Sequence, residues 1–164
     1  MTRPIIALFE RRVAAELAIG ALAGRSFRRD QISLVRRDWG ELRDSPDDTG
    51  AGLGGLGVLL AGVPSRAIPG IGTVLAAGPL VVAIRRGAPI TPMPTAGGEL
   101  HSALVGIGCT NCVARTYTEG VRRGGTLVAV HAAAGRVVEV RAVLRWACTA
   151  AVCSGIPVPP EVEA

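Results

Sequence analysis

A chain of 164 residues, 49% hydrophobic and 19% charged, is long enough to bury a core and too apolar to be an intrinsically disordered segment. All eighteen basic residues are arginines, set against thirteen acids, and they are scattered: residues 1–50 hold nine against eight acids, residues 109–164 six against four. With no dense basic face and only five aromatic rings, the composition argues against specific nucleic-acid binding.

Ile5 to Phe9 is an apolar run of strand length. It is too short for the hydrophobic core of a signal peptide, and Glu10, Arg11 and Arg12 follow at once, so a cytoplasmic chain is expected. From Glu10 the spacing turns helical. Val13, Leu17 and Ala21 share one face, Arg12 and Glu16 are placed to pair at i,i+4, and Gly24 is placed to end the helix in the left-handed conformation. Gln31 to Arg36 then alternates, with Ile32 and Leu34 on one face and Ser33 on the other. Residues 1–49 therefore read as strand–helix–strand, the first half of an α+β domain.

Residues 50–108 read as an insert and linker. From Ala51 to Ile84 the only strongly polar residues are Ser65, Arg66 and Thr73, and glycines recur throughout. Glycine is costly in an exposed helix, about 1 kcal/mol against alanine. Small residues four apart are favourable where helices pack closely. The spacing predicts a glycine-zipper helical hairpin in which Gly54, Gly55, Gly62, Gly70, Gly72 and Gly78 permit close contact at an oligomer or membrane interface. Three destinations compete for its apolar surface: the chain's own sheet, a second subunit, or a bilayer. A homo-oligomer interface is the favoured reading. The lipid bilayer comes next, because Ala67 to Ile84 is an uncharged run of eighteen residues. In that reading the hairpin sits peripherally or re-enters at the inner membrane. The pattern Gly52-x-Gly54-x-x-Gly57 follows no strand and carries no dinucleotide site.

Past the prolines at 89, 92 and 94, Glu99 to Ile107 reads as a short helix. Residues 109–164 then form the second half. Thr110 caps a helix with Val113, Tyr117 and Val121 on one face, Gly124-Gly125 stops it, and Thr126 to His131 is a strand. Arg136 to Ala151 is a second amphipathic helix. The proline-rich tail, Ile156 to Pro160, makes at most an edge strand. The expected fold is α+β: a ferredoxin-like antiparallel sheet with helices on one face, interrupted by the hairpin.

Ala67-Ile68-Pro69-Gly70-Ile71-Gly72, Val74-Leu75-Ala76-Ala77-Gly78-Pro79-Leu80, and Glu119-Gly120-Val121-Arg122-Arg123-Gly124-Gly125-Thr126-Leu127-Val128 together resemble a bacterial family of general stress proteins, heat- or low-temperature-induced. The resemblance covers residues 5–150. It implies a small stress-related protein, cytosolic or membrane-associated, with no catalytic residues to carry over. Here Cys109-Thr110-Asn111-Cys112 replaces the acidic helix start of that family.

Those cysteines supply a second reading. Cys109 and Cys112 form a C-x-x-C at a helix start, where the dipole lowers thiol pKa as a redox dithiol requires. With Cys148 and Cys153 they would make a four-thiolate zinc site, His101 and His131 being the other soft ligands. The competing reading is four ordinary free thiols. No Walker loop, paired carboxylates or nucleophile with a neighbouring base is present, so the favoured reading is non-enzymatic and free of cofactors.

Overall fold

In the computed structural model, residues 2–37, 65–68, 70–86 and 98–150 are described. Strand β1 (Thr2–Phe9) leads into α1 (Arg12–Gly24), and β2 (Ile32–Arg37) follows a single 3-10 turn. Next come β3 (Ser65–Ile68), β4 (Gly72–Ala77), α2 (Pro79–Arg86), α3 (Gly98–Gly106) and α4 (Asn111–Arg122). Strand β5 (Thr126–Ala133) and α5 (Val137–Ala150) complete the described chain.

The fold is α+β. All five strands join one antiparallel sheet in the order β1-β5-β2-β4-β3. The register between β1 and β5 runs unbroken from Thr2 opposite Ala133 to Phe9 opposite Thr126. Because β1 and β2 both run antiparallel to β5, they are parallel to each other with β5 between them, a split β–α–β unit.

Side chains alternate across a strand, and here both faces are apolar. On one face Ile5, Ala7, Phe9, Ile32, Leu34, Val128 and Val130 meet α1 and α5. On the other, Ile6, Leu8, Val35, Leu127 and Ala129 meet α2, α3 and α4. This corrects the expectation of helices on one face only. The paired helices α1 and α5 do share a face, but α4, expected beside them, lies across the sheet. Near-continuous apolar runs in β1 and β5 require cover on both sides.

The second arm of the predicted helical hairpin is also corrected. Residues 65–68 and 72–77 are a β-hairpin, and only from Pro79 does a helix begin. Gly70 and Gly72 adopt φ of 81° and 101°, which an α-helix does not contain and a tight strand reversal needs. Strand β4 then pairs with β2, Leu34 opposite Ala77 and Arg37 opposite Val74. The apolar residues of this segment close the chain's own core: Ile68, Ile71, Val74, Leu80 and Ile84 are each 2% exposed or less. The first arm, with Gly54, Gly55 and Gly62, lies outside the described residues, as does the proline-rich tail.

Two local details differ as well. Helix α1 turns Ala14, Ala15, Ala18, Ile19 and Leu22 inward, leaving Val13 and Leu17 outside. The left-handed residue after it is Ser26, with φ of 62°, rather than Gly24. The Arg12–Glu16 pair forms as spaced, at 2.8 Å.

Candidate interaction surfaces

Strand β1 is an edge strand with a core composition. Ile5, Ile6, Ala7, Leu8 and Phe9 are each 9% exposed or less, although among the described residues the strand has only β5 beside it. Helix α4 lies close against its inner side because Gly120 has no side chain: a Cβ there would stand 2.0 Å from Leu8 Cδ2. The Tyr117 hydroxyl donates to the Ile6 carbonyl at 3.1 Å, and burial raises its pKa above the ordinary phenol value. Beside this contact is an open cleft of about 440 Å³, lined by Leu8, Glu10, Arg115, Thr116, Glu119 and Arg123 among others. Glu119 is held below the usual carboxylate range by the hydrogen bond from Arg122 and by Arg123. Two carboxylates, Glu10 and Glu119, and two arginines, Arg115 and Arg123, line the cleft.

The second surface is the outside of the α1–α5 layer. Arg136 donates to the Arg25 carbonyl at 2.7 Å, and Arg25 lies 3.9 Å from Glu139. These contacts join the end of α1 to the start of α5, so the helices run antiparallel. Arg136 also stacks on Phe27, 3.8 Å from the ring centroid. On the outer face α1 presents Val13 and Leu17, 59% and 37% exposed, and α5 presents Val138 and Trp146, 78% and 53% exposed. Gly20 and Gly24 continue the α1 stripe, and apart from the helix's own backbone no atom of the described residues lies within 4 Å of where a Cβ would stand.

The predicted site residues are separated. Gly70 and Gly72 turn the β-hairpin, and Gly78, with φ of 84°, ends β4 where its Cα faces the backbone of β2. None of the three lies in a helix, so they form no helical zipper. Cys109 is packed in the core on the α4 side, whereas Cys148 on α5 packs against the opposite core. With the sheet between them they cannot share a metal whose bonds to sulfur are about 2.3 Å, and Cys153 lies outside the described residues. Among the described residues no three His, Cys, Asp or Glu side chains gather around a common point. His101 lies 3.4 Å from the Asn111 carbonyl. His131, on β5, has its Nε2 buried with no hydrogen-bond partner among the described residues, and burial lowers its pKa.

The dithiol reading also changes. Thr110 caps α4, its hydroxyl accepting from the Val113 N–H at 3.4 Å. Cys109 therefore precedes the cap and is buried, while Cys112 is exposed, and both are free thiols. Burial pushes the Cys109 thiol up, opposite to the dipole effect expected from its sequence position. Iodoacetamide is expected to label Cys112 in the native protein and Cys109 only after denaturant, as read by peptide mass spectrometry. Equal rates at the two thiols would contradict their placement.

Sequence reasoning did not single out Ser33 as a tie between elements. Its buried hydroxyl accepts from the Leu80 N–H at 3.0 Å, fastening the start of α2 to β2. A serine on the inward face of an apolar strand was the available signal. Comparison with protein-family models, curated proteins and solved structures finds no match to this chain.

Proposed function

We propose that this chain is a cytoplasmic, non-enzymatic, stress-related protein that self-assembles, two copies joining along β1. The stress-related part is supported by the sequence resemblance alone. The assembly is carried by one observation: β1 is eight residues long and unbulged, its residues 5–9 are apolar on both faces, and its outer edge meets no strand among the described residues. Edge strands of this kind invite pairing, and proteins usually blunt them with charge, proline or a bulge. Arg3 and Pro4 stand at the start of β1, and residues 5–9 carry none of these.

A second copy is a fitting occupant because the strand is self-complementary. A two-fold axis at Ala7 sets Ile6 opposite Leu8 and Ile5 opposite Phe9, so apolar residues meet apolar residues on both faces. The fold on which this rests we read as a ferredoxin-like core, β1–α1–β2 with β5–α5, enlarged by β3, β4 and the three helices of the other face. Support for that reading is the split β–α–β unit around β5 and the shared face of α1 and α5. Of the glycine-zipper reading, only Gly54, Gly55 and Gly62 remain as contacts between copies, on their spacing alone.

The test is light scattering after size-exclusion chromatography in detergent-free buffer, combined with amide hydrogen exchange over β1. A dimer is expected, with the outward-pointing amides of Ile5–Phe9 (alternate residues of an edge strand) protected at high protein concentration and exposed on dilution. A monomer with fast exchange at those amides overturns the proposal. So does protection that ignores dilution but disappears when the chain is cut after residue 150, because the chain's own tail would then be the occupant.

A further inference from the structure

We draw no further inference here: the strongest candidate, the outer side of the α1–α5 layer, where Val13, Leu17, Val138 and Trp146 stand exposed, carries no proposal because nothing in the structure shows what covers it.

Discussion

Replacing Gly78 with alanine is expected to destabilise the fold by about 3 kcal/mol or more, the largest effect of any glycine substitution in the described chain. Two costs coincide there. The residue sits at φ of 84°, a conformation that alanine adopts only with strain. A Cβ would also stand 2.2 Å from the Ile32 carbonyl oxygen and 2.7 Å from the Ser33 Cα. Both neighbours are backbone in a central strand, so neither can turn aside as a side chain could. The same approach brings the Leu80 N–H to the Ser33 hydroxyl, and widening the gap would lose that bond too. Gly72 is the internal control. Its φ is also positive, at 101°, but its nearest neighbour is the end of a long side chain, the Arg37 guanidinium at 3.3 Å, which also donates to the Arg122 carbonyl at 3.0 Å and yields more readily than backbone. Gly72→Ala is expected to cost about 1 kcal/mol. Urea denaturation of the two variants checks the ordering, and a Gly78→Ala protein with the parent midpoint would contradict it. Glycines in an interhelical zipper would behave otherwise: substitution would change oligomer mass and leave the midpoint alone.

What could be read from the sequence was what local chemistry decides. Strands β1 and β5 are apolar runs bounded by charge and glycine, Thr110 is a side-chain cap, and Gly124 and Gly125 end a helix. Each signal acts within a few residues, and each element stands where its pattern placed it. The misread features depend on distant partners. Helix α1 is apolar nearly all round, so Val13-Leu17-Ala21 and Ala14-Ala18-Leu22 are both valid stripes. The small alanines went inward against the sheet and α5, which left the larger Val13 and Leu17 outside. No periodicity within α1 announces that choice. The uncharged run at 67–84 is equally ambiguous, because a fully buried strand and a close-packed helix share a composition. Pairing of β4 with β2, across some forty residues of chain, decided it. The cysteines were misjudged for the same reason: spacing along the chain cannot say which face of the sheet a helix will cover.

Leu80→Ala tests where the apolar second arm finds its partner. Leu80 is 1% exposed in the first turn of α2, in a cluster with Ile68, Ile71, Ile84, Leu100 and Leu104. Truncating a leucine in such a place removes its transfer free energy and leaves a cavity, a loss of about 2–5 kcal/mol. Val82, two residues on, is 51% exposed, and Val82→Ala is expected within about 0.5 kcal/mol of the parent. The contrast matters because the two sites are nearly adjacent in an equally apolar stretch. If the stretch packed against another subunit or lipid, the outward Val82 would be as sensitive as Leu80, and the loss would depend on protein concentration or lipid. If it closes the chain's own core, the loss at Leu80 is the same at every concentration and Val82 is silent. Denaturation midpoints of both variants at two protein concentrations separate these cases. The second arm then counts as the lining of the chain's own β2–β4 face.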